Sequence, residues 1–203
     1  MTIQVKDLGS GVVSLKLDRP EKRNALNAEL VASLTKSAHD LANNDDLRVV
    51  VLEGAGDRVF SAGADINELS SLDPNSARTF ITNLYGAIQA VRDIPVPVIC
   101  KLQGPCIGGA MELAAACDLR VTSTKATFCM PEVRVGIPSV IQAVLLPRLM
   151  GEGRADWLVL SGDVIDAQTA YEWNFIEKLV TPKDLDATTD EAVQSILSSA
   201  PQA

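Results

Sequence analysis

The sequence predicts an α/β fold built on a largely parallel sheet, and three observations carry that expectation. Short apolar or β-branched runs alternate with longer stretches of helical periodicity, as in successive βαβ units. Turn chemistry closes the runs, at Asp18-Arg19-Pro20, Gly54-Ala55-Gly56 and Gly104-Pro105. A chain of 203 residues with 47% apolar and 22% charged residues is long and apolar enough for one domain with a sizeable core.

Taken in order, Val12–Leu17 alternates apolar and polar side chains as a half-buried strand does. Asn27 then offers an N-cap to a helix over 28–43, on which Leu30, Leu34, Ala38 and Leu41 form one stripe. The run RVVVLE at 48–53 is the β-branched pattern of a strand covered on both faces. A second helix over 75–92 leads into PVPVICKLQG at 95–104, a further buried strand. Residues 107–117 read as a helix of small residues, Leu119–Ser123 as a strand, and 139–150 and 154–161 as helices. Strand–helix–strand connections of this kind cross over right-handedly. No internal repeat, low-complexity tract or linker precedes Gly162, so a single domain over 1–203 is expected, with its core at about 11–180 and a partial helical region at about 181–203.

Composition excludes several classes of function. The net charge of −8, with no basic cluster longer than Lys22-Arg23, speaks against a nucleic-acid partner, which needs a basic footprint. No apolar run approaches the ~20 residues of a membrane span, and MTIQVKDLGSG lacks the basic-then-apolar layout of a signal peptide. A cytoplasmic protein is therefore expected, with no membrane partner. Cys100, Cys106, Cys117 and Cys129 lie among small or apolar residues without a CxxC pair, which fits reduced, buried thiols. His39 is the one histidine and lies beside the apolar stripe of its helix, so neither a histidine metal site nor a Ser-His-Asp arrangement is expected.

Three stretches carry chemistry: FSAGADINE at 60–68, GPCIGGAMELAAACD at 104–118 and TFCMPEVRVG at 127–136. In Ser61-Ala62-Gly63-Ala64-Asp65, small residues let a ligand approach the main chain, and glycine can turn an N–H outward. The same five residues also suit a plain strand-to-helix turn. Gly108-Gly109-Ala110-Met111-Glu112 opens a helix, whose first N–H groups are unpaired and partially positive, so the Gly109 N–H is a natural second donor beside that of Ala64. Glu112 lies in the first helical turn, where a carboxylate stabilises by about 0.3–1 kcal/mol with no other role. Glu132 follows Pro131, which steers it away from a helix interior and toward an exposed strand or loop edge.

From about residue 11 to 180 these motifs resemble the enoyl-CoA hydratase/isomerase (crotonase) superfamily. The resemblance implies a spiral of ββα units and a pair of catalytic glutamates that share one water. Glu132 would have the proton-transfer role and Glu112 would hold and activate the same water. Hydration of an α,β-unsaturated thioester needs such a base and acid together with stabilisation of the enolate oxygen. The resemblance assigns that stabilisation to the Ala64 and Gly109 amides as an oxyanion hole. It also implies a CoA-ester site made of Lys22, Arg23 and Ala25 in DRPEKRNALN, the main chain around Ala62, Ala64, Asp65 and Ile66, and Gly109. Lys22 and Arg23 read equally well as a solvated charged turn. No metal and no separate cofactor are implied, coenzyme A being part of the substrate, and a homotrimer or dimer of trimers is implied as the assembly.

The acidic net charge means that any CoA site rests on local basic residues and backbone amides. Hydration of 2-enoyl-CoA is the leading expectation, with Δ3-Δ2 enoyl-CoA isomerisation and a non-catalytic subunit of the same fold as alternatives. Two departures from the family pattern bear on this. Asn67 stands where many relatives carry lysine, and Pro138-Ser139-Val140-Ile141-Gln142-Ala143 replaces a glycine-rich turn, adding bulk on the acyl side. The helices that cover the acyl pocket in relatives are expected to be short or missing here.

Overall fold

A computed structural model describes residues 2–200. The chain opens with an antiparallel hairpin of β1 (Ile3–Gly9) and β2 (Val12–Leu17). The sequence reading did not include β1. Only Ile3 of that strand is buried, so this edge strand lacks the apolar alternation by which strands are recognised.

A short 3-10 turn at Pro20–Lys22 leads to α1 (Ala28–Ala42), where the Asn27 side chain accepts the Leu30 N–H at 3.0 Å. β3 (Val49–Gly54) is buried along its whole length. Asp65 caps α2 (Ile66–Leu69), and a capping box of Asp73 and Ser76 starts α3 (Pro74–Arg92). Next come β4 (Val98–Leu102), β5 (Cys106–Ile107), α4 (Gly109–Ala116), β6 (Leu119–Ser123) and β7 (Thr127–Cys129). A 3-10 turn over Pro131–Val135 and another over Ala143–Leu145 precede α5 (Leu146–Met150) and α6 (Glu152–Ser161). The described chain closes with β8 (Ile165–Asp166), α7 (Ala167–Glu172), β9 (Lys178–Val180) and α8 (Leu185–Leu197).

The strands form two sheets. The larger has the order β1-β2-β3-β4-β6-β9 and is parallel from β2 onward; the smaller joins β5, β7 and β8. The main apolar core lies on the face covered by α1, α3 and α4, and includes Leu30, Leu34, Leu52, Leu84, Ile88 and Leu113. Such side chains contribute about 1.5–3 kcal/mol each on full burial. On the opposite face, Leu185 and Val193 of α8 pack on Val12, Val49, Val51, Ile99 and Val121. With both faces covered, the uniformly apolar runs of β3 and β4 follow directly.

Two expected helices are corrected. The helix at 107–117 begins only at Gly109, because Ile107 pairs with Cys129 in the small sheet and Gly108 has φ +56° and ψ −127°, which no helix contains. The helix at 139–150 shrinks to α5, preceded by irregular chain through Gln142 and the turn at Ala143–Leu145. The apolar residues there line a cavity, and they mimic helical spacing without forming a helix.

Candidate active site

Two crossing segments make the floor of the site. The hydroxyl of Ser61 donates to the Asn24 carbonyl, and main-chain hydrogen bonds tie Ala62 to Arg23, Leu26 to Gly63 and Asp65 to Leu26. The 61–65 strip is thus laid along the 23–26 strip. On its other side Ser61 bridges to Cys106, so the strip also abuts the start of the small sheet. A side chain at Gly63 would strike the Ile107 carbonyl and come to 3.6 Å from the Gly109 nitrogen; its φ of +80° also requires glycine. This close approach brings the Ala64 and Gly109 amides to the same cavity. Neither N–H donates a hydrogen bond within the described residues, Gly109 being the first residue of α4.

Helix α4 is buried throughout, and Arg120 anchors it from behind. That guanidinium, only 1% exposed, donates to the carbonyls of Ala114, Cys117 and Phe175 and pairs with Glu177. Glu112 projects from this fixed helix with 1% of its surface exposed, and neither carboxylate oxygen has a hydrogen-bond partner. Burial, with the nearby charge of Glu132, pushes its pKa up to about 7. The amides of Gln142, Ala143 and Ile141 face it and pull the other way, without reaching hydrogen-bonding geometry.

Glu132 lies in the 3-10 turn at Pro131–Val135 and is half-buried, where the sequence suggested an exposed edge. Burial raises its pKa, and its own N–H and the Ser139 hydroxyl counter the rise. A methyl at Gly108 would overlap Glu132 Oε1, so the glycine makes the room in which the carboxylate rests. Ser139 Oγ stands 3.4 Å from Oε2, on the other side.

The two glutamates and the two free amides border one cavity of about 170 Å³. Its remaining wall is aliphatic, with Leu69 from α2, Ile81 from α3, and Ile137, Val140 and Ile141 from the irregular segment. An apolar pocket with a few convergent polar groups is the usual form of a small-molecule site. Here it offers donors for a developing oxyanion and two carboxylates for proton transfer.

Comparison with known proteins agrees with this geometry. Residues 7–203 match the family profile of enoyl-CoA hydratase/isomerase. The chain belongs to that family. It is 33% identical over 193 residues to the short-chain-enoyl-CoA hydratase of Clostridium acetobutylicum, covering 95% of this chain and 74% of that protein. To the crotonyl-CoA hydratase of Syntrophomonas wolfei it is 32% identical over 185 residues, covering 91% of this chain and 71% of the relative. The crystal structure of an enoyl-CoA hydratase from Bacillus anthracis superposes with a TM-score of 0.95 at 31% identity, covering 99% of this chain and 78% of the other. The crotonase fold expected from the sequence is therefore the observed one.

Around the crotonase site, Ala62 and Ile66 line the same cavity as Ala64, with Ile66 exposed at the rim, and Ala25 is buried within the neighbouring 23–26 strip. Lys22 and Arg23 occupy the exposed turn at the start of the 23–26 strip. The Asp65 side chain has structural work: it caps α2 through the Asn67 N–H and pairs with Arg19 Nη1 at 3.2 Å. Sequence reading missed Asn24, whose buried amide donates to the carbonyls of Ala55, Val59 and Phe60 and so clamps the strip. The available signal was an asparagine in a predicted turn, a residue type that tolerates the left-handed backbone Asn24 adopts at φ +53°. It also missed Ser139, noticing only the bulk of the residues after it. Bulk is not the whole effect, since the glycine-free segment still presents three amides to Glu112.

The buried carboxyl has a consequence for stability. Its folded pKa of about 7 exceeds the ordinary 4.5, so the folded state holds a proton that the unfolded chain releases between those values. Stability from this group is present below about pH 4.5, falls as pH rises through 7, and is absent above. Glu112→Gln is therefore expected to stabilise the protein at pH 8 by on the order of 2–3 kcal/mol and to change little at pH 4. Urea unfolding at the two pH values checks this; equal effects at both would contradict it.

Proposed function

We propose that this crotonase-family chain hydrates 2-enoyl-CoA thioesters. The observation that carries the reading is the meeting of Glu112, Glu132 and the unpaired Ala64 and Gly109 amides at one apolar cavity. The thioester carbonyl oxygen accepts from the two amides, which strengthen their hold as it becomes enolate-like. Glu132 takes a proton from the water as its oxygen attacks Cβ, and delivers a proton to Cα. Glu112 holds that water. The reaction as proposed uses no cofactor beyond the coenzyme A that the substrate carries, with Lys22, Arg23 and the rim around Ile66 as the CoA side of the site.

The two bacterial relatives, a short-chain-enoyl-CoA hydratase and a crotonyl-CoA hydratase, support the same reading. Isomerisation of 3-enoyl-CoA is the second reading, favoured by the absence of any polar partner on Glu112, since one carboxylate, Glu132, can shuttle a proton from Cα to Cγ. Loss of the conjugated thioester absorbance on mixing with 2-butenoyl-CoA tests hydration directly. Glu112→Gln then separates the two: hydration should collapse while isomerisation of a 3-enoyl ester survives. Survival of hydration in that variant sinks the two-glutamate scheme.

For the assembly we propose the family's threefold symmetry. Val144 together with Trp157 and Leu160 of α6 expose large apolar surface of the kind that association buries. Light scattering at micromolar concentration should give three or six times the chain mass of 21.6 kDa, and a monomer there refutes the proposal.

A further inference from the structure

The irregular segment between the two 3-10 turns stands where the family pattern has a glycine-rich turn, and its first polar side chain approaches Glu132. Ser139 is half-buried, lines the cavity and places its hydroxyl 3.4 Å from Glu132 Oε2, long for a formed hydrogen bond but aimed along it. The other carboxylate oxygen rests on Gly108, so beside its own N–H the one side chain among the described residues that can donate to Glu132 is the Ser139 hydroxyl. The segment is pinned close by: Gln142, 4% exposed, donates from Nε2 to Gln89 Oε1 of α3 at 3.1 Å. The serine thus does not hang on a free loop.

We propose that Ser139 is a positioning residue that donates to Glu132, fixes its rotamer and favours its ionised form. The inference rests on the hydratase reading for its effect on turnover, though not for the contact itself. It gives the two glutamates different starting states. Glu132, with a hydroxyl donor, begins as the carboxylate that takes the water's proton, whereas Glu112 has no side-chain donor at all. The groups that face Glu132 are few. Glu112 approaches from α4 and the Cys129 thiol from β7; burial and the charge of Glu132 push the thiol up to about 11 and so keep it neutral, and raise Glu112 as well. Arg134, on the same turn, is directed away to the Ser161 carbonyl and to Asp163. Among the described residues, Ser139 is the side chain that stabilises the ionised form.

The test uses Ser139→Ala and, as a second hydroxyl-free variant, Ser139→Gly, with Ser139→Thr as the conservative control. Carboxyl 13C NMR of glutamate-labelled protein, with Glu132 assigned through Glu132→Gln, follows its titration without any need for turnover. The Glu132 midpoint should rise in both hydroxyl-free variants and return toward native in Ser139→Thr. In kinetics with 2-butenoyl-CoA, the acid limb of kcat/KM should move to higher pH, with kcat falling about three- to tenfold and KM little changed. An unmoved Glu132 midpoint in folded Ser139→Ala and Ser139→Gly overturns the proposal. A native protein that hydrates no enoyl-CoA, yet shows the midpoint shift, would uphold the Ser139 contact and remove the hydratase reading instead.

Discussion

Glu132→Gln is expected to lower kcat by about two to four powers of ten while CoA-ester binding stays near native, the usual scale for loss of a general acid/base. Glutamine keeps the shape of the side chain, and the space beside Gly108 admits it as it admits the acid. The amide can neither take the water's proton nor hand one to Cα. Binding should survive because the carbonyl is held by the Ala64 and Gly109 amides and the acyl group by the aliphatic wall, none of which the substitution touches. Single-turnover measurements with a direct binding assay separate the two quantities. Unchanged turnover would remove Glu132 from the mechanism.

Gly109→Pro should cost on the order of 3 kcal/mol in the transition state, a loss of about two powers of ten in kcat, through removal of one oxyanion donor. The site suits the experiment because Gly109 is the first residue of α4, the position at which proline is best tolerated in a helix. Its N–H has no partner to lose, and a β-carbon there would meet only Leu84 at 3.5 Å and Leu26 at 4.0 Å, ordinary contact distances. The helix is thus expected to form with its donor deleted. Circular dichroism and unfolding midpoint establish folding, and near-native turnover in a folded variant would place the oxyanion donors elsewhere.

Both predictions depend on placements that were legible to different degrees. Ala64, Gly109, Glu112 and Glu132 were singled out because their short motifs resemble the crotonase pattern; by themselves they read equally as a plain turn, a helix start and an exposed edge. The helix at Ala28–Ala42 was legible for a similar reason, its cap and its apolar stripe both being local. β1 was not, since an edge strand with one buried residue carries no periodic signal. The segment at 139–142 misled in the opposite direction: its apolar residues face a cavity, and a cavity wall imposes no helical geometry on the chain that forms it.

The sequence by itself determined the α/β class, through strands and helices whose signals lie within a few residues, and its motifs resembled the family closely enough to single out four candidate site positions. Only the tertiary structure decided their chemical state. Glu112 is a carboxyl near pKa 7 because it is buried on α4, which Arg120 fastens to the Phe175 carbonyl 55 residues away, and because Glu132 lies nearby, while a segment some thirty residues downstream closes over the site without giving the carboxylate a hydrogen bond. Burial raises Glu132 as well, countered by its own N–H and by a hydroxyl seven residues away that folds back within 3.4 Å. Desolvation and hydrogen bonding act through space, and residues distant in the chain supply them, so no local pattern records that burial raises both glutamates or which groups counter the rise.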